Sequence, residues 1–186
     1  MKKNDGYSLV EMLIVLAIIM LLTGMAYLSL SVLSSAKARD KAIEFDNELA
    51  TVAAKARNMN AGFVDSSTGI TYDQFGIVIY KQVTGKGLFE APAYYNPTLD
   101  YYVVDCSEAK KFSRRVGVTF NGTTDTGHQL KPIDNDGSGV DAIAVIRFNR
   151  RGECMNGYGT YTFTTDRNST GVASTKLRQN GSHEAR

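Results

Sequence analysis

The residues of this chain that could do chemistry are few and scattered, and the most informative is a single carboxylate. Glu11 is the one charged residue between Leu9 and Leu33, a run of 25 residues reading LVEMLIVLAIIMLLTGMAYLSLSVL. A carboxylate near the start of an apolar membrane helix costs on the order of 2.5–3.5 kcal/mol on insertion scales. A chain that keeps it is expected to supply a partner for it. A second cluster, Asp134-Asn135-Asp136-Gly137-Ser138-Gly139-Val140-Asp141, has the pattern of the first half of a calcium loop. Asp134, Asp136 and Ser138 stand at alternate ligand positions and Gly139 at the tight turn. The twelfth position is Val145 instead of Glu, so the bidentate ligand would have to come from Asp141 or from a distant residue. The plainer reading is an Asx-rich turn before a strand. Asp125-Thr126-Gly127 matches an aspartic-protease tripeptide, but there is no second copy with which to share a proton. His128 and His183 have no Ser or Cys setting that would make a triad, and the sequons at Asn121, Asn168 and Asn180 are common by chance in a chain rich in Thr and Asn. No catalytic set emerges, and the chain is not expected to be an enzyme.

The elements that carry these residues follow from periodicity. The apolar run is long enough to cross a bilayer, which takes about 20 residues of helix. Beyond it, Ala42, Phe45, Leu49, Val52, Ala56 and Met59 recur at helical spacing, with Lys41, Glu44, Asp46, Glu48 and Lys55 between them expected to face water. Together these predict one helix from Ser8 to Met59, about 80 Å long at 1.5 Å per residue, with Gly62 as its C-cap. Its first half is apolar all round, for lipid or sister helices. Its second half has one stripe, for its own globular head. Thr23-Gly24 is the weakest point, since Gly costs about 1 kcal/mol against Ala in a helix interior.

After Gly62 the pattern changes to short apolar runs between turns. Strands are predicted at 75–83, 101–105, 115–120 and 142–148, then a turn at Asn149-Arg150-Arg151-Gly152 and a hairpin partner for the last strand at 159–164. With 17 Gly, 10 Tyr and no Trp, the head should be rich in strands and turns. Residues 166–186 are polar, with little to bury, and are expected to form a loose tail, with 182–186 disordered. Net charge is +2, and removing residues 1–6 takes away Lys2, Lys3 and Asp5 to leave +1, which makes no electrostatic case for nucleic acid.

The N-terminal residues carry a resemblance. Lys2-Lys3-Asn4-Asp5-Gly6, then Tyr7-Ser8-Leu9-Val10-Glu11, then the apolar run, resembles the processing site of type IV prepilins and pseudopilins: a short basic leader ending in Gly, an aromatic or Met at the first mature position, and Glu at the fifth. Tyr7 stands where Phe is usual. The resemblance implies a leader at 1–6 cut between Gly6 and Tyr7 by a prepilin peptidase, and methylation of the Tyr7 amine. It implies a long helix over 7–60 with a transmembrane and assembly half at 8–33, a β-rich head over 61–165 and a tail over 166–186. The fold class is then α+β, a long helix packed on a mainly antiparallel sheet. The partners are sister pilin subunits meeting through Glu11 and the apolar helix, the peptidase, the inner-membrane assembly platform, and the membrane before assembly. The location is a single-pass membrane protein first and an external or periplasmic filament later. The stretch Leu49 to Ala61, and the pattern of a branched strand, Phe148 and Gly152, loosely resemble minor pseudopilins of the H type. Some pseudopilins bind calcium in head loops. With the head outside the cytoplasm, two Cys predict a Cys106–Cys154 disulfide, whose loop of about 49 residues would add roughly 4 kcal/mol in the chain-entropy model.

Three plainer readings compete. A simple anchor carrying an external binding domain needs neither Gly6 nor Glu11. A conventional signal peptide would take Lys2 and Lys3 as its basic region and Gly24-Met25-Ala26 as its cleavage site, but gains nothing from Glu11. A secreted hydrolase has no catalytic set to support it.

Overall fold

The computed structural model describes residues 8–58, 63–64, 66, 69–72, 74–82, 87–96, 98, 101–123, 129–132, 140–165 and 168–186. One helix, α1 (Leu9–Asn58), runs for 50 residues without a break through Thr23 and Gly24. It is described as far as Asn58, and Met59 and Gly62, where its end and C-cap are expected, fall outside the described residues. Thirteen strands follow among the described residues: β1 (Phe63–Val64), β2 (Thr71–Tyr72), β3 (Gln74–Gln82), β4 (Leu88–Asn96), β5 (Tyr101–Val104), β6 (Lys110–Lys111), β7 (Val116–Thr123), β8 (Gln129–Pro132), β9 (Val140–Phe148), β10 (Cys154–Asn156), β11 (Tyr158–Thr165), β12 (Asn168–Leu177) and β13 (His183–Ala185).

They form two main sheets. The larger has the order β10-β9-β3-β4-β5-β8, with β6 beside β4, and the smaller has the order β13-β12-β11-β7. Every pairing is antiparallel except β5 with β8. The architecture is thus the expected α+β arrangement of one long helix on mainly antiparallel sheet.

The second half of α1 fills the space between the two sheets. Of the predicted stripe, Val52 is half-buried beside Ala53 and Met59 lies outside the described residues. Ala38, Ala42, Phe45, Leu49, Ala53 and Ala56 are buried at helical spacing. They meet Ile77 and Ile79 of β3, Ala144, Ile146 and Phe148 of β9, Tyr161 and Phe163 of β11, and Leu177 of β12. Phe45 sits at the centre, 5.0 Å from the ring of Tyr161 and 5.8 Å from that of Phe163. The continuous run Ile77-Val78-Ile79-Tyr80 is buried on both faces, which is why it lacks a polar alternation. Ile77 and Ile79 face the helix, while Val78 and Tyr80 join Ala91, Ala93, Tyr95, Tyr102, Val104 and Val145 in a second cluster on the opposite face.

Four expectations are corrected. The strand at 158–165 is not the hairpin partner of β9. It pairs with β7 and β12 in the other sheet, and the short β10 takes the place beside β9. Gly157 makes the transfer at φ +81°, where a Cβ would stand 2.5 Å from the carbonyl oxygen of Val145. The segment after residue 166 is not a loose tail. Most of it is β12 and β13, with Ala173, Thr175 and Leu177 buried on one face and Thr175 Oγ1 donating to the carbonyl of Ala42 at 3.1 Å. β4 is a nine-residue strand through Pro92, in a stretch where no strand is predicted. Pro92 is tolerated because it falls between the stretch of β4 that pairs with β6 (Phe89–Glu90) and the stretch that pairs with β5 (Ala93–Asn96). Its carbonyl still accepts from the amide of Asp105 at 2.9 Å.

The fourth correction concerns the cysteines. Cys106 and Cys154 are thiols, not a disulfide. Cys154 on β10 belongs to the cluster under the helix and Cys106 packs against the cluster on the opposite face. β10 and β5 are separated by β9, β3 and β4. At about 4.8 Å per strand this is roughly 19 Å, far beyond the roughly 7 Å limit for a bridge.

Candidate functional site

The N-terminal segment is described from Ser8 onward, so Gly6 and Tyr7 lie outside the described residues. Ser8 and Glu11 form a capping box. The Ser8 amide donates to Glu11 Oε2 at 2.9 Å, and the Glu11 amide donates to Ser8 Oγ at 3.2 Å. This pairing satisfies two amides at the helix start and places the carboxylate at the positive end of the helix. Ser8 is thus a functional neighbour that the sequence reading missed. The signal for it was present as Ser-x-x-Glu directly before an apolar run.

Beyond the cap, α1 is long and apolar enough to cross a membrane, and none of that apolar window is buried. Leu9, Met20 and Val32 are 81%, 71% and 70% exposed. Thr23 Oγ1 lies within hydrogen-bonding reach of two carbonyls, Ile19 O at 2.8 Å and Met20 O at 3.0 Å, so its hydroxyl is satisfied inside the apolar stretch. From Ser34, whose hydroxyl donates to the carbonyl of Leu30 at 2.9 Å, the helix begins to bury side chains against the head. One helix therefore has two surfaces in series, an uncovered apolar rod and a packed stripe.

The charged residues of the packed half do not all face water. Lys41 is buried, ion-paired with Glu90 of β4, 3.3 Å from Glu44 Oε2, and 4.7 Å from the centroid of Phe112. Lys110 of β6 pairs with Glu48 and lies 4.0 Å from Glu44 Oε1. Burial pushes the Glu90 carboxyl up to about 8, with the attraction of Lys41 opposing and the adjoining carboxyl of Glu48 adding to the rise. Asp46 Oδ1 meets His183 Nδ1 at 2.8 Å, which ties β13 to the helix.

Among the described residues, the remaining sequence-derived positions do not assemble into a site. Asp134, Asp136 and Ser138 fall outside the described residues, as do Asp125 to His128. Asp141 is exposed on β9, opposite Lys81. Burial raises the Cys154 thiol to about 11, so it is neither a ready nucleophile nor a ready metal ligand.

The chain matches the family model of the prokaryotic N-terminal methylation motif over residues 1–27. No curated protein and no solved structure matches it. The matched segment takes in the basic leader, Gly6, Tyr7, the Ser8–Glu11 cap and the first part of the apolar helix, the same residues that carry the resemblance to type IV pilins and pseudopilins.

Proposed function

We propose that this chain is a filament subunit that is cut after Gly6 by a prepilin peptidase and methylated on the Tyr7 amine. It then polymerises with sister subunits at an inner-membrane platform into a pilus or pseudopilus. The observation that carries this reading is the division of α1. The half that bears the methylation motif is apolar and uncovered, while the other half is locked into the head. The uncovered half suits storage in a bilayer and then packing among parallel sister helices. The head acts by display, at the filament surface, instead of by catalysis. Adhesion, motility, DNA uptake and protein secretion are the uses such a filament serves.

Glu11 gives the assembly its register. Apolar helices attract without direction, and a carboxylate in hydrocarbon gains from a cationic partner. Cleavage after Gly6 creates such a partner, the ammonium of Tyr7 on an incoming subunit.

The test is mass spectrometry of the mature N-terminus from cells that make the filament. The expected product begins with N-methyl-Tyr7. A product beginning at Tyr27 would mean a conventional signal peptide, and an intact leader would mean a membrane-anchored external β domain that binds a partner. Either outcome overturns the proposal.

A further inference from the structure

Midway along the packed half of α1, five charged side chains converge. Lys41, Glu44 and Glu48 come from the helix, Glu90 from β4 and Lys110 from β6. Lys55 of α1 and Glu108 of the turn before β6 line the adjoining cavity of about 210 Å³, together with Glu48, Glu90 and Lys110. The Glu90 side chain is 3% exposed. Its Oε1 binds Lys41, but its Oε2 is sealed from solvent and has no donor among the described residues. Oxygens of Glu44, Glu48 and Glu90 lie within 4.8 Å of one another.

Three carboxylates and two ammoniums leave one excess negative charge, and an acceptor without a donor at its buried centre. Both ammoniums are already seated, Lys41 between Glu90 and Glu44 and Lys110 between Glu48 and Glu44. A metal ion would have to displace one of them to gain a full set of ligands. A proton needs no displacement. It supplies the missing charge and the missing donor together, because a protonated carboxyl donates to the carboxylate beside it. We infer that Glu48 and Glu90 share one proton, and that this proton is a pH-sensitive tie between the helix and the larger sheet.

The raised pKa of Glu90 agrees with the geometry, since burial and Glu48 both hold the proton on. Lys110 stays cationic alongside, its own value raised by its hydrogen bond to Glu48. The linkage runs opposite to that of an ordinary carboxylate. The unfolded carboxyl ionises near 4.5, whereas the folded one keeps its proton to about 8. The contribution to stability is therefore full in acid, declines as pH rises between those values, and is gone above about 8. In alkali the buried carboxylate of Glu90 faces the half-buried one of Glu48, and α1 loosens first from β4 and β6, on the side away from β11 and β12.

The experiment uses the full chain in detergent micelles, with unfolding followed from about pH 5 to about pH 9.5. The unfolding equilibrium constant of the wild type is expected to rise up to about tenfold per pH unit up to about pH 8, the limit for one proton. Glu90→Gln replaces the acid with an amide that donates to Glu48 at every pH, and should flatten this rise. Glu48→Gln should flatten it too, because its amide donates to Glu90 and removes the need for the proton. Glu48 is 17% exposed, so this variant carries the test where Glu90→Gln fails to fold. Infrared spectra at neutral pH should show a protonated carboxyl in the wild type that Glu90→Gln lacks. Parallel pH profiles for wild type and variants, or no such carboxyl in the wild type, would overturn the inference.

Discussion

Ser8 and Glu11 bond each other twice across the first turn of α1, amide to carboxylate at 2.9 Å and amide to hydroxyl at 3.2 Å. The one charge of the apolar rod is thereby turned back toward the chain start, next to the helix amides. A single amide occupies only part of the roughly four acceptor positions of a carboxylate. Glu11 can be anchored at home and still accept a donor from a neighbour.

This arrangement separates two roles that Glu11→Ala would confuse. Gln serves in a capping box as well as Glu does, so Glu11→Gln keeps the cap and removes the charge. Membrane insertion, cleavage after Gly6 and head melting are expected to match wild type. The sheared filament fraction should fall as far for Glu11→Gln as for Glu11→Ala, with Glu11→Asp between them and wild type. Full incorporation of Glu11→Gln would leave helix capping as the only role of the residue.

Phe45 is the centre of the head. Its ring is fully buried between the rings of Tyr161 and Phe163. Truncating a buried Phe to Ala typically costs about 3–5 kcal/mol, and at this chain length each kcal/mol lowers the melting temperature by about 2–4 °C. Phe45→Ala is therefore expected to melt about 6–20 °C below wild type by circular dichroism, while the fraction inserted in membranes stays the same. A loss of insertion instead would mean that the two halves of α1 do not act separately.

The helix and its stripe were legible because periodicity of 3.6 is a local signal that survives in one sequence. Strand existence was legible for the same reason at β3, β5, β7, β9 and β11. Partnership was not. The alternation of 159–164 says that a strand forms but not which neighbour it takes, and the transfer at Gly157 depends on a backbone approach that no side chain advertises. β12 was missed because its buried face is Ala173, Thr175 and Leu177, two of them small or polar. Lys41 read as a solvent-facing charge because its partner, Glu90, lies 49 residues away on a strand that Pro92 disguised.

Gly157 supports that transfer physically. Its φ of +81° is strained for any other residue, and an added Cβ would meet backbone atoms of β9, which cannot swing aside. Gly157→Ala should destabilise the head by at least about 1–3 kcal/mol. The checking measurement is a urea titration, read as a lower midpoint with an unchanged slope. A midpoint equal to wild type would show that the sheet junction tolerates displacement.

The cysteines offer a direct check on the two-faced sheet. With Cys106 and Cys154 as thiols on opposite faces, reduction should leave the mass of the purified protein unchanged. Native alkylation should spare Cys154, which is fully buried and whose thiol ionises only near pH 11. Both residues should react after denaturation. A Cys106–Cys154 linked peptide would require a different strand order.

The closure of the core by β12 and β13 sets the order of events during synthesis. Thr175 reaches back 133 residues to Ala42, and His183 reaches back 137 residues to Asp46. Phe45 and Leu49 emerge from the ribosome early and then wait, uncovered, until the residues that roof them have been made. Contacts of such long separation close slowly, because the chain must lose loop entropy before it gains burial. A chain stopped near residue 166 would own a complete membrane helix and an open core beside it. The C-terminal strands are thus the last part of the core to close, and a chain lacking them would leave open the side of the stripe that Ala173, Thr175 and Leu177 cover.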